Sequence, residues 1–495
     1  LPVTLPLMSL TRALAWNTGA QLGGKIVSTV IGIVIVGLMT RLLGQEGFGA
    51  YSTANAFLQI FALLLDLGLN VTLVALLGEH AGDEAYEKRC VSAFFTLRLL
   101  TGFIVLVIIA PAIAWASPYP ITIKLAIFAL IASFFFPSLG QIITGVQQRH
   151  LKMHLAAVGE ILGRFVLLIG LLFARRLGWG LVPIVSFVSL ASIANFVWIF
   201  FTTRRFAAFD WNWDPTFWKS ALHRSWPVGV TIAFGLIYFK ADTLILSLVR
   251  SQAEVGIYGA AYRVLEILIT VPFMFAGILL PILAKTWATK NHAYFSLLIA
   301  RAIDVMMIFV IPLIVGTWIL GKKIMIIVAG KNFALSGDVM KILIIAVGMI
   351  YLNTIFSHAV IALNVQRKMI PIYIVVALVT LVGYLLFIPT YGLWAAAWLT
   401  VFSETCVGIG SLVMTHRTTP LTFQPKTTIA ACFATIIMSL VLLLLQNMWL
   451  PITINIGIIV YLFFLYVFGG VSKKTLEEIL SWRGKDSNVD KLAEV

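Results

Sequence analysis

The sequence predicts an all-α polytopic membrane protein of about 14 transmembrane helices, on its composition, the spacing of its apolar runs and a set of internal echoes. Of 495 residues, 61% are hydrophobic and 11% charged, and the mean hydropathy is +1.02. A water-soluble domain carries roughly 25% charged and about 45–50% apolar residues. A soluble fold has nowhere to bury this much apolar surface, whereas a bilayer accepts it as solvent.

A helix needs roughly 20 apolar residues to cross the hydrocarbon core. Segments of that kind fall at 17–41, 48–77, 90–116, 121–146, 153–174, 180–203, 225–249, 255–284, 294–320, 337–363, 369–389, 392–415, 427–446 and 449–470. The breaks carry turn chemistry: Leu43-Gly44-Gln45-Glu46-Gly47, Ser117-Pro118-Tyr119-Pro120, Arg175-Arg176-Leu177-Gly178 and Pro389-Thr390-Tyr391-Gly392.

The net charge of +15 comes from Lys and Arg set singly or in pairs between apolar runs. They form no basic face of the kind nucleic acid requires, so no nucleic-acid partner is expected. They act as topology signals. With the N-terminus cytoplasmic, 20 Lys and Arg fall in inside segments and 8 in outside connections, which predicts both termini inside. Cys90, Cys406 and Cys432 are too few and scattered for a disulfide framework or a metal site. No small-residue cleavage site precedes the first span, so no cleavable signal is expected, and Met8 is a second candidate start. No cofactor is expected.

Three echoes relate span n to span n+6. Gly49-Ala50-Tyr51-Ser52-Thr53-Ala54 opens the second span and Gly256-Ile257-Tyr258-Gly259-Ala260-Ala261 the eighth. Gln148-Arg149 answers Gln366-Arg367, and Gly180-Leu181 answers Gly392-Leu393. An even offset preserves orientation, so the halves are parallel repeats, an arrangement transporters use with a substrate site between the halves. The expected organisation is a six-helix bundle (1–203), a cytoplasmic interfacial linker (204–224), a second six-helix bundle (225–415), two further transmembrane helices (416–471) and a cytoplasmic polar tail (472–495). The linker carries Phe206, Trp211, Trp213 and Trp218 among charges, and the tail spaces Leu476, Ile479, Leu480 and Trp482 as a short amphipathic helix.

The stretch Arg41-Leu42-Leu43-Gly44-Gln45-Glu46-Gly47-Phe48-Gly49-Ala50-Tyr51, followed by Asp66-Leu67-Gly68-Leu69, resembles the opening of the polysaccharide transporter (O-antigen flippase) family. Phe239-Lys240-Ala241-Asp242-Thr243-Leu244-Ile245-Leu246 with Gly256-Ile257-Tyr258-Gly259-Ala260-Ala261-Tyr262 resembles that family's seventh and eighth spans. The family belongs to the multidrug/oligosaccharidyl-lipid/polysaccharide exporter superfamily. The resemblance implies two six-helix bundles around a cationic cavity. It also implies alternating access that flips undecaprenyl-pyrophosphate-linked oligosaccharide from the cytoplasmic to the periplasmic face of a bacterial inner membrane. Surface polysaccharide synthesis (O-antigen, capsule or exopolysaccharide) would be its purpose, with membrane lipids and a polysaccharide polymerase complex as partners.

An ionisable group at membrane depth costs about 2.5–3.5 kcal/mol on insertion scales and is a functional candidate by default. Arg98, Glu160, Arg164, Arg301 and Asp304 lie near cytoplasmic helix ends, where snorkelling or pairing along their own helices accommodates them. Lys240, Asp242, Arg263 and Glu266 lie at matching depths on spans 7 and 8, which predicts an Asp242–Arg263 or a Lys240–Glu266 contact. Lys25 has no acid one turn away on its own helix. The resemblance places spans 1, 2, 7 and 8 around the cavity, which makes Lys25 and Arg263, with Lys240, the expected contacts of a pyrophosphate or acidic sugar.

Asp66 and Glu404, with Asp242 and Glu266, are candidates for proton or sodium coupling or for charge pairing. Asn17, Gln21, Asn55, Gln59 and Asn70 add polar faces to the first two spans. No phosphate loop, metalloprotease motif or nucleophile elbow is present, so no enzyme is expected. Fourteen spans and internal cations argue against the alternative of an ion-coupled multidrug exporter. A peptidoglycan lipid precursor flippase stays open as the other alternative.

Overall fold

The computed structural model describes residues 7–66, 68–80, 82–421 and 425–470. The expected tail helix lies outside the described residues, as do the side chains of Asn17 and Gln21. Among the described residues every long element is a helix: α1 (Leu7–Asp66), α2 (Leu69–Glu79), α3 (Glu84–Gly102), a π-helical stretch (Phe103–Ile109), α4 (Ala110–Ala116), α5 (Ile121–Leu130), α6 (Ala132–Arg149), α7 (Met153–Leu177), α8 (Leu181–Thr203), α9 (Pro215–Val249), α10 (Gln252–Leu268), α11 (Thr270–Ala288), α12 (His292–Ala329), α13 (Ala334–Ala362), α14 (Ile370–Tyr391), α15 (Leu393–Thr418), α16 (Pro425–Leu444) and α17 (Leu450–Val467).

Among the described residues, 12 helical segments are long and apolar enough to cross a membrane. One of them, Gly23–Glu79, is 57 residues long. At 1.5 Å per residue that is about 85 Å, more than twice the roughly 30 Å hydrocarbon core. It breaks at Gly44, whose φ of 64° and ψ of −173° fall in a region open essentially to glycine alone. The glycine thus divides the expected first and second spans. The other turn signals also end helices: the chain turns extended at Ser117 and Pro120, and α7 and α14 stop at Gly178 and Gly392. The 35-residue α9 covers the expected seventh span and lies outside those twelve.

The helices pack as two compact units. The first comprises Leu1–Ile267, Met325–Val339 and Arg367–Val407, and so draws on both halves of the sequence. In it, residues 204–214 are strapped along α3: the Asp210 and Asn212 backbone N–H groups donate to Ser92 Oγ (3.2 Å) and Thr96 Oγ1 (3.0 Å). Trp218 Nε1 donates to the Ala93 carbonyl at 2.9 Å. Phe206, Phe209, Phe217 and Trp218 pack on a core of Leu73, Leu77, Val91 and Phe94. Trp211 and Trp213 stay exposed, as interfacial aromatics do.

The second unit comprises Leu268–Ile324, Met340–Gln366 and Gly408–Val495. There α16 and α17 pack on the first part of α12 through Leu320, Ala431, Met438 and Leu465. The Tyr461 hydroxyl donates to the Ile308 carbonyl at 2.7 Å.

Candidate functional site

The charges on α9 and α10 meet in the first unit. The two helices are joined at Arg250–Ser251, and their cross-contacts fall on either side of that joint, as in a helical hairpin. Glu266 stands between two cations. Lys240 Nζ donates to its Oε1 at 2.6 Å and Arg263 Nη1 to its Oε2 at 2.8 Å. Of the two cross-helix contacts that spacing predicts, Lys240–Glu266 is the one formed, and Arg263 joins it from one turn away on the same face of α10. The cluster keeps one net positive charge.

Aromatic rings hold both cations in place. Lys240 Nζ lies 4.5 Å from the centroid of the Tyr262 ring, and the Arg263 guanidinium 5.7 Å from that of Tyr51. Arg263 Nη2 also donates to the Tyr51 hydroxyl at 3.3 Å. The cluster borders a small, partly open cavity lined by Ser52, Asn55, Ala56 and Gln59 of α1, Lys240 and Thr243 of α9, and Gly259, Tyr262, Arg263 and Glu266 of α10. The charged lining residues come from α9 and α10, and the lining from α1 is uncharged and mainly polar.

Asp242 points elsewhere, as a residue two places from Lys240 must on a helix. It is fully buried and accepts from the Thr243 backbone N–H, the Thr243 hydroxyl (3.1 Å) and the Tyr258 hydroxyl (2.5 Å). Tyr258 in turn lies 3.4 Å from Thr400 Oγ1 on α15. Glu404, one turn beyond Thr400, is also buried. Neither Asp242 nor Glu404 lines the cavity.

Lys25 differs from its expectation of standing without an acid. Glu160, supplied by α7, lies 3.4 Å from its Nζ. Ser28 donates to the same oxygen at 2.6 Å, and Arg164 Nη2 at 3.1 Å along its own helix. Arg164 Nε also bonds to Ser28 Oγ. Inspection of Lys25's own helix could not find a partner 135 residues away. Lys25 is not among the residues lining the cavity beside Arg263.

Arg98 also departs from expectation. It does not snorkel: it is fully buried, and its Nη2 donates to Asp66 Oδ1 at 2.7 Å. Its Nε and Nη1 have no hydrogen-bond partner among the described residues. The signal was present, because Asp66 and Arg98 sit at nearly equal distances on either side of the loop at 80–83. Pairing along a single helix does not reveal it, because the contact joins α1 to α3. In the second unit, Asp304 is bonded to Thr427 of α16, and Arg301 is exposed.

The fold defines a polytopic helical membrane protein. An inward closed structure of the lipid II flippase MurJ matches with a TM-score of 0.72 at 18% identity, over 90% of this chain and 98% of that one. An inward-facing multidrug resistance MATE family transporter of the MOP superfamily matches at 0.67 and 14% identity, over 81% and 98%. The family itself follows from the sequence. The chain belongs to the polysaccharide biosynthesis protein family, whose model matches residues 14–287, more than half of its length. Among similar proteins are a probable flippase, AglR, of Haloferax volcanii, 21% identical over 81% of this chain and 82% of that protein. A putative O-antigen transporter of Shigella dysenteriae is 21% identical over 76% and 93%.

Proposed function

We propose that the protein is a flippase that carries undecaprenyl-pyrophosphate-linked oligosaccharide from the cytoplasmic to the periplasmic face of a bacterial inner membrane by alternating access. The observation that carries this reading is the Lys240–Glu266–Arg263 cluster on a cavity inside a membrane-spanning bundle. A pyrophosphate must shed water to cross, and preorganised cations replace that hydration. Arg263 offers a planar fork suited to phosphate oxygens and Lys240 a compact charge. Glu266 holds both in place and keeps the site from binding its anion too tightly to release it.

The reading includes fourteen crossings, counted as the twelve apolar segments with Gly23–Glu79 taken as two and α9 added. Both termini are then cytoplasmic and the halves are parallel repeats. Lys25 stands as an inner contact for the headgroup. Asp66, Asp242 and Glu404 stand as carboxylates available for proton or sodium coupling, and a polysaccharide polymerase complex as the downstream partner. With no nucleotide-binding motif, the energy comes from an ion or substrate gradient.

A strain deleted for the gene tests this. Lipid-linked oligosaccharide should accumulate on the inner face and surface polymer should disappear. The wild-type gene should restore both, and Arg263→Ala at normal protein level should not. The likeness to the lipid II flippase fold favours a peptidoglycan precursor as the second reading. Accumulation of that precursor would replace the first reading with the second, and drug sensitivity alone would overturn both.

A further inference from the structure

The cavity's lining has two chemistries, and the neutral part carries amide acceptors that a phosphate cannot satisfy. Ser52, Asn55 and Gln59 stand at i, i+3 and i+7 on α1 and so share one helix face. They present a hydroxyl and two amides and no charge. Lys240 and Arg263 line the same cavity from α9 and α10.

Polar side chains on membrane helices often serve as glue between helices. Gln59 does not serve that way, because its Oε1 is buried with no hydrogen-bond partner among the described residues. Leaving a buried acceptor unpaired is costly, so a donor from a ligand or a water belongs there. An ionised phosphate is an acceptor only. Whichever way the amide is turned, it presents one carbonyl oxygen that a phosphate cannot satisfy. A sugar hydroxyl or an acylamino N–H can.

We infer that the Asn55–Gln59 face of α1 recognises the sugar ring bonded directly to the pyrophosphate, while Lys240 and Arg263 hold the pyrophosphate itself. The inference rests on the flippase reading above and adds a division of labour within its site. The charged wall takes any prenyl pyrophosphate, and the amide wall selects among the sugars attached to it. Asn and Gln suit this task, since each carries donor and acceptor together and so matches a hydroxyl in either sense. A site that hydrogen-bonds hydroxyls also rejects a ligand that lacks them, because its own polar groups are then left unpaired.

The test measures two dissociation constants on the purified full-length chain in detergent. One probe is undecaprenyl pyrophosphate and the other is the same lipid carrying one N-acetylhexosamine. Wild type should prefer the glycosylated lipid. Gln59→Leu, close in shape but without the amide, should cut that preference about tenfold, equivalent to about 1.4 kcal/mol. It should leave binding of the bare lipid within about twofold. Asn55→Ala, one turn away, is the second variant if Gln59→Leu is not recovered folded. Arg263→Gln should weaken both lipids alike.

Equal loss for both lipids in Gln59→Leu and Asn55→Ala, or an unchanged preference in both, overturns the inference. Equal wild-type binding of the two lipids also overturns it and leaves the headgroup reading standing. Wild-type binding of neither lipid removes the headgroup reading and this inference with it.

Discussion

Gly49 and Gly256 pack reciprocally: each meets the residue four places before the other. A Cβ on Gly49 would fall 1.7 Å from the Gln252 carbonyl oxygen, and one on Gly256 would fall 2.0 Å from that of Gln45. The echo between the second and eighth spans thus meets itself in space as a local two-fold contact between α1 and α10. One turn further, Ser52 faces Gly259, and there the cavity begins. Thr53 Oγ1 donates to Gln252 Oε1 at 2.8 Å across the same seam.

Backbone atoms cannot swing aside as a side chain can, so this crossing should tolerate no added carbon. Gly49→Ala and Gly256→Ala should each destabilise the protein by about 1–3 kcal/mol, the usual cost of overpacking. Gly277→Ala is the control, because nothing lies within 4 Å of its added carbon. Thermal unfolding in detergent should show lowered midpoints for the first two variants only. An unchanged midpoint for Gly49→Ala would mean that the close crossing does not persist.

The Asp66–Arg98 pair makes a prediction about order of loss. Arg98 is wholly buried and Asp66 neutralises it at 2.7 Å. Removing one partner of a buried ion pair costs about 3–5 kcal/mol, whereas replacing both with apolar residues is often neutral. Asp66→Leu should therefore be more harmful than Asp66→Leu with Arg98→Met. A double-mutant cycle on unfolding midpoints measures this. Additive losses would show that the two side chains do not depend on each other.

Glu266 sets the charge of the proposed headgroup site. Glu266→Gln should raise its net charge by one and free Lys240 and Arg263 to bind an anion more strongly. Undecaprenyl pyrophosphate should then bind at least several-fold tighter to the purified variant, while turnover in vesicles falls because release slows. Weaker binding together with lower turnover would instead make Glu266 a purely structural tether.

Much of the fold was legible because the bilayer enforces it. Apolar runs of span length with glycine or proline between them admit few arrangements, and Gly44, Gly178 and Gly392 break the chain where turn chemistry predicts. The site was half legible. Lys240, Arg263 and Glu266 sit on neighbouring spans at matching depth, and residue counting brings them together. Lys25–Glu160 and Asp66–Arg98 are not legible in the same way, because the packing of separate helices supplies each partner and no local spacing marks it. The reciprocal glycines were visible as a motif, but their contact depends on how α1 and α10 cross, and hydropathy carries no trace of that.

The linker's anchor should respond to acid. Arg89 Nε lies 3.0 Å from Asp214 Oδ2, and the Phe217 backbone N–H donates to Asp214 Oδ1 at 3.0 Å. The Arg89 guanidinium, and after it that N–H, hold the Asp214 carboxyl below its usual range. A carboxyl depressed in the folded state stabilises it above the unfolded value, about 3.9, and that contribution is lost as pH falls through the lower folded value. Hydrogen exchange across 208–217, taken relative to intrinsic rates, should stay flat from about pH 5 to 8 and rise below about pH 4. Asp214→Asn keeps an acceptor able to cap α9 but carries no charge for Arg89. Its exchange should be raised at neutral pH and show a smaller acid step. If wild type and Asp214→Asn share one pH profile, the Arg89 contact does not hold the linker.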